Sequence, residues 1–268
     1  MVDVKEAADH LEAGSGLPVV MLPGAEGSKQ FWRYQLEELA GDYHVVSCAL
    51  AVREPSLSST MADYAADTLR IMDSLGIDKA VIIGESMGGM VTQELAINHP
   101  ERVLGVVLCN TMDKPRRGGF GINMFTLATL VHQMAFMPFL TDDARKRLLG
   151  WVGRHRGFVM DPTPGNARLI DYLFECGLEC GGKSYLDKAL AGRTADYTDR
   201  LSSISVPALV IRGTEDRLVG PEAIVELAGR IPGARLELIE GGGHCCSYTM
   251  PEETTAVIKD WLASTGLA

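Results

Sequence analysis

Short apolar runs rich in Val, Ile and Leu recur along the first 111 residues, at 17–22, 43–50, 80–83 and 103–109. Each is too short for a helix and reads as a buried strand. Between them lie stretches of helical character. The first, 30–40, ends at Gly41. The second runs to Leu75 with Met61, Ala65, Leu69, Met72 and Leu75 on one face, opening at Ser59 or Thr60 as cap and stopping at Gly76. A third, 90–98, stops at His99 before Pro100. Strand and helix in alternation predict an α/β fold, a mostly parallel doubly wound sheet with helices on both faces. The alternation breaks at 112–199, where apolar positions follow helical spacing and no strand-like run occurs. It resumes with strands at 207–212 and 235–240, a helix at 221–230 between them and a last helix at 251–262. The predicted organisation is therefore a core of 1–111 and 200–268 interrupted by a helical cap at 112–199. A single short element at 8–16 precedes the first parallel strand.

One junction in this pattern carries chemistry. The strand at 80–83 runs directly into Gly84-Glu85-Ser86-Met87-Gly88 and then into a helix. A Gly-x-Ser-x-Gly between strand and helix forces a turn so tight that Ser86 must hold a strained backbone, and a side chain at Gly84 or Gly88 would strike the flanking elements. The turn lifts the Ser86 hydroxyl to the tip of the sheet and sets the Met87 N–H at a helix N-terminus, where it can bind a developing negative charge. Glu85 is expected to pack behind the turn.

A serine hydroxyl needs a base to take its proton, and the base needs a third group to orient it. Two later strands each deliver a candidate. The loop after 207–212 contains Asp216, and the Gly241-Gly242-Gly243 loop after 235–240 ends at His244. The remaining histidines compete poorly for the role of base. His10 lies near the N-terminus, His44 opens a strand, His99 ends a helix, and His132 and His155 fall in the cap. His132 stays a candidate for substrate contact.

Composition narrows the partners. A net charge of −10 argues against nucleic acid, whose phosphates call for clustered Lys and Arg. Of the six cysteines, Cys48 and Cys109 sit in strand-like runs and read as buried thiols, while Cys176 and Cys180 lack the further ligands of a zinc site. No metal and no cofactor are expected, and the sequence does not specify an oligomeric state. The segment 1–16 is charged and has no apolar core of the signal-peptide kind, so a reducing, cytoplasmic setting is expected. Residues 118–141 carry no charge and are long enough to cross a bilayer. Asn123, His132, Gln133 and Pro138 interrupt them, and they fall between two sheet strands, so a lid helix is the better reading than a membrane span. Its Met124, Phe125, Leu127, Leu130, Met134 and Phe136 would line an apolar substrate pocket.

The elbow, the order Ser86, Asp216, His244 and the cap together resemble the α/β-hydrolase superfamily, in its capped esterase, lactonase and C–C hydrolase group. The likeness runs from about residue 8 to 262 and is strongest at 81–100, 207–216 and 233–244. It implies a second oxyanion donor just after a His-Gly pair that ends an early strand. Here the pair is Pro23-Gly24, so the donor is the Ala25 N–H. Proline removes a hydrogen bond that the family's histidine supplies, while Ala25 keeps its N–H. A second departure is the 51–56 loop, Ala-Val-Arg-Glu-Pro-Ser, where relatives often have a Gly-rich turn opening with Asp and Arg. The resemblance implies a serine hydrolase acting on a small, largely apolar carboxylic ester or lactone through an acyl-enzyme. The same triad would also serve C–C bond hydrolysis or acyl transfer, and a non-catalytic binding module of this fold is the further alternative.

Overall fold

The computed structural model describes residues 2–50, 57–115 and 190–267, together with the single positions 141, 143, 144, 147, 168, 169, 171, 172, 175, 184, 187 and 188. Among these residues the strands are β1 (Val4–Glu6), β2 (His10–Ala13), β3 (Leu17–Leu22), β4 (Tyr43–Cys48), β5 (Ala80–Glu85), β6 (Val103–Cys109), β7 (Ala208–Gly213) and β8 (Arg235–Ile239). The helices are α1 (Arg33–Leu39), α2 (Met61–Ser74), α3 (Met87–Asn98), α4 (Pro221–Arg230), α5 (Cys246–Thr249) and α6 (Pro251–Ser264). All strands join one eight-stranded sheet in the order β1-β2-β4-β3-β5-β6-β7-β8. The β1–β2 and β2–β4 pairs are antiparallel and the rest parallel. Where one element is expected at 8–16, the chain forms a β1–β2 hairpin. Its first strand is exposed along its whole length, so no apolar run announces it.

Alternation along the strands divides the core. Val20, Leu22, Val46, Ile82, Val106, Leu108 and Val210 face α2, α3 and α4, where Tyr64, Met72, Leu95 and Leu227 meet them. Val19, Met21, Val45, Ile83, Val107 and Ile211 face α1 and α6, packing on Leu36, Leu39, Ile258 and Trp261. Burial on both faces is what a parallel sheet requires, and it explains runs that are apolar throughout rather than alternating.

Helix α2 begins at the predicted cap. The Thr60 side chain accepts the Asp63 N–H, the Asp63 side chain accepts the Thr60 N–H in return, and Gly76 follows the helix at φ +69°. Helix α1 starts three residues later than expected. Gln30, Phe31 and Trp32 form turns instead, with the Phe31 N–H on the Ser28 carbonyl and the Trp32 indole N–H donated to Leu22 O at 2.9 Å. The buried indole anchors the chain to the end of β3 before the helix can begin.

Every described position from 143 to 194 is helical. Asp187 in this part is tied to the start of α2, accepting Ser59 Oγ at 2.6 Å and Tyr64 Oη at 2.7 Å. Those donors outweigh burial and hold its carboxyl below the ordinary range. Among the described residues no helix is long and apolar enough to cross a membrane.

Candidate active site

Parallel strands all end at one edge of the sheet, and in open α/β sheets ligands bind there. The register aligns Leu22 with Gly84, Glu85 with Cys109, Cys109 with Ile211 and Gly213 with Ile239. The residues that follow β3, β5, β7 and β8 therefore emerge side by side at that edge. They include Ala25, Ser86, Asp216 and His244.

Ser86 is the residue between β5 and α3, at φ +51° and ψ −111°. This left-handed backbone strains a side-chain-bearing residue by about 1–3 kcal/mol. The structure supports it from several sides: the Ser86 N–H bonds the Cys109 carbonyl, and Thr111 Oγ1 donates to Ser86 O at 2.6 Å. The flanking glycines are required by contact. A Cβ on Gly84 would lie 2.3 Å from Gly88 O, and one on Gly88 would lie 2.4 Å from Leu22 O. As the first N–H of α3, Met87 has no carbonyl one turn back within the helix.

His244 is buried and stands between the other two members of the predicted triad. Its Nε2 lies 2.9 Å from Ser86 Oγ, and its Nδ1 lies 3.0 Å from Asp216 Oδ2. With the proton on Nδ1, the ring donates to the carboxylate and Nε2 accepts from the hydroxyl. The second Asp216 oxygen accepts the N–H groups of Leu218 and Val219 at 2.8 and 2.9 Å. These bonds fix the carboxylate within its own loop.

Residues that the sequence reading passed over complete this framework. The two loops are stitched together by Thr214 N–H to Ile239 O, Glu215 N–H to Gly242 O, and Gly241 N–H to Thr214 Oγ1 at 2.8 Å. Arg212, buried in β7, donates to the carbonyls of Thr214, Asp216 and Val219 at 3.2, 2.8 and 3.2 Å. Asn110, at φ +45°, accepts the Gly213 N–H and donates to Glu85 Oε1 at 3.0 Å. Glu85 does pack behind the elbow, 1 % exposed, with Ser247 Oγ on its other oxygen at 2.7 Å. Desolvation pushes its carboxyl up to about 8, against the opposing pull of His244 and its two hydrogen-bond donors.

Ala25 stands at the second position of a turn closed by Gly27 N–H to Gly24 O at 3.1 Å. Met124, Phe125, Leu127, Leu130, Met134 and Phe136, like His132, His155, Cys176, Cys180 and the 51–56 loop, lie outside the described residues. Cys48 and Cys109 are buried thiols as expected, and desolvation raises both. Cys246 is buried, its sulfur 3.2 Å from Asn110 Nδ2. Among the described residues no cluster of three His, Cys, Asp or Glu side chains is placed to hold a metal ion.

The family model described as "alpha/beta hydrolase fold" matches residues 18–251. The chain belongs to that family. It is 26 % identical over 262 residues to the protein named "Putative carbamate hydrolase RutD" of Caulobacter vibrioides, covering 92 % of this chain and 91 % of that one. A solved structure of a thermophilic esterase from Thermogutta terrifontis is 25 % identical, with a TM-score of 0.76 over 98 % of this chain and 94 % of that one. The enol-lactonase of Burkholderia xenovorans shares the fold at a TM-score of 0.76 and 23 % identity, over 93 % of this chain and 92 % of that one. The relatives are hydrolases, and hydrolysis is the class of reaction this fold and family support.

Proposed function

We propose that the protein is a serine hydrolase that cleaves a small, largely apolar carboxylic ester or lactone. The observation that carries this reading is the His244 ring, 2.9 Å from Ser86 Oγ and 3.0 Å from Asp216 Oδ2, beside a serine held at positive φ. His244 takes the Ser86 proton as the oxygen attacks the carbonyl carbon. The oxyanion that forms is bound by the N–H groups of Met87 and Ala25. Asp216 orients the imidazole and stabilises its charged form. The imidazolium then protonates the departing alkoxide, leaving an acyl-serine. Water, deprotonated by the same ring, attacks that ester and releases the acid and free Ser86. The segment 112–199 is assigned as a lid whose apolar residues would meet the acyl or alcohol portion of the substrate.

A carbamate is the second reading, favoured by the name of the relative in Caulobacter vibrioides and by its match over 92 % of this chain. Both readings use the same nucleophile and differ only in the atom beside the carbonyl. A panel of p-nitrophenyl esters, lactones, thioesters and carbamates, run with Ser86→Ala as control, tests the reading. The variant is expected to lose at least about 10⁴-fold in kcat/KM. Near-wild-type turnover by the variant would remove Ser86 as nucleophile.

A further inference from the structure

The residue directly after Ala25 turns its side chain back onto the loop that carries it. Glu26 Oε1 accepts the Gly24 N–H at 3.1 Å, closing a ring through Ala25 in addition to the turn's own hydrogen bond. Tyr172 Oη lies 3.4 Å from the same oxygen, and its ring stacks on Tyr248 with centroids 4.6 Å apart. The carboxyl also faces the serine. A side chain at Gly24 would meet Glu26 Oε2 at 2.6 Å and Ser86 Cβ at 3.6 Å, so the two residues flank one small gap.

Pro23 gives this brace its importance. It has neither an N–H nor a polar side chain with which to hold the loop. The far end of the turn is fixed by the backbone, Gly27 N–H on Gly24 O and Leu50 N–H on Gly27 O, while the Gly24 end, directly after Pro23, is tied among the described residues by the Glu26 carboxyl on its N–H. A donor displaced by a fraction of an ångström binds an oxyanion poorly, because hydrogen bonds weaken steeply with distance and angle. The side chain that restricts the Gly24 end of the turn is Glu26.

Resting on the reading of Ser86 as nucleophile and Ala25 as oxyanion donor, we propose that Glu26 is a positioning residue. It holds the Ala25 N–H in line with the oxyanion by binding the neighbouring Gly24 N–H. The role depends on reach rather than charge: an oxygen at that distance from the backbone is what the loop needs. Desolvation raises this carboxyl above the ordinary carboxylate range, against its hydrogen bonds and the nearby Lys188 and His244.

The test compares Glu26→Gln, Glu26→Asp and Glu26→Ala on a p-nitrophenyl ester and on the matching thionoester. The thionoester sulfur is a weak hydrogen-bond acceptor, so the ester-to-thionoester rate ratio reports the quality of the oxyanion site. Glutamine keeps the reach and loses the charge, and is expected to retain most of kcat. Aspartate keeps the charge and loses the reach. Aspartate and alanine are expected to lower kcat by about tenfold to a hundredfold, with KM little changed and the ester-to-thionoester ratio reduced. Wild-type kcat and ratio in Glu26→Asp, or a Glu26→Gln as slow as Glu26→Asp, would overturn the proposal. Ser86→Ala run alongside separates the two levels. If it keeps turnover, the nucleophile assignment fails. If it is inactive while Glu26→Asp matches wild type, only the role of Glu26 fails.

Discussion

On one flank of Ser86, the loops after β7 and β8 are stitched to each other by backbone hydrogen bonds, and Arg212 gathers three carbonyls of the acid loop beneath them. On the other flank, the turn after β3 is closed by Gly27 N–H on Gly24 O, tied to the chain after β4 by Leu50 N–H on Gly27 O, and met by one side chain folded back on it. The difference suits what each flank must hold. A triad needs an imidazole kept in one orientation between two partners, so rigidity there must come from several directions. An oxyanion donor, the role proposed for Ala25, needs only one N–H pointed correctly, and a small turn with few ties is enough for that. The flank with more partners should be damaged more by any one loss of function within it and less by loosening at its edge.

The largest effect expected on the acid–base flank is from Asp216→Asn. The amide occupies the same space, but its oxygen and nitrogen cannot both satisfy the Nδ1 proton and the Leu218 and Val219 N–H groups. The imidazole then turns or takes the wrong tautomer, and kcat should fall by about 10⁴-fold while KM changes little. Steady-state kinetics on the best ester of the panel would check this. A loss under tenfold would mean that the stitched loops alone hold His244 in place.

Arg212→Met comes next. Methionine fills much of the volume and donates no hydrogen bond, so the carbonyls of Thr214, Asp216 and Val219 lose their shared partner. Stability should fall by about 3 kcal/mol in urea denaturation, and kcat by about a hundredfold as the acid loop drifts. Arg212→Lys reaches fewer of the three carbonyls and should fall between. If Arg212→Met is destabilised with kcat intact, the inter-loop bonds position Asp216 without help.

What could be seen of this site in the sequence follows from how local each constraint is. Gly84 was legible because a Cβ there would meet the Gly88 backbone four residues on, a demand written into adjacent positions; Gly88 came with the same motif, although what a Cβ there would strike is the Leu22 and Pro23 backbone of a distant strand end. Asp216 was legible because it falls just after an apolar strand, and His244 because a glycine-rich loop carries it directly after the last, half-exposed strand. The sheet itself was legible because two-sided burial leaves continuous apolar runs. Arg212 was hidden for the opposite reason: a lone arginine ending a strand looks like a solvent-facing residue until the loop folds over it. Asn110 and Ser247 meet at Glu85 from positions far apart in the chain, and no spacing announces the meeting. The β1–β2 hairpin escaped because an exposed three-residue strand has no apolar pattern.

The smallest expected effect concerns the floor shared by both flanks, where Glu85 lies beneath the elbow. Its partners are Asn110 Nδ2 and the Ser247 hydroxyl, at 3.0 and 2.7 Å, and neither carries a charge. Burial favours the protonated acid and outweighs the pull of His244 and of these two donors, which raises the folded-state value from the ordinary 4.5 to about 8. In the unfolded chain the same carboxyl releases its proton near the ordinary value. Between these two pH values the folded state holds a proton that the unfolded state has lost, so stability falls as pH rises. This contribution is complete below about pH 4.5 and is lost progressively as pH climbs through about 8. Its steepest slope is about 1.4 kcal/mol per pH unit. Glu85→Gln keeps the shape and the hydrogen bonds and removes the titration. The variant should therefore gain stability relative to wild type as pH is raised across that window, in urea melts at matched ionic strength. Its kcat/KM should change by less than about tenfold, because the hydrogen bonds of Glu85 are to Asn110 and Ser247 and not to Ser86, Asp216 or His244. Parallel pH–stability curves for the two proteins would mean that Glu85 is already ionised in the fold, and that Asn110 and Ser247 hold an anion beneath the serine.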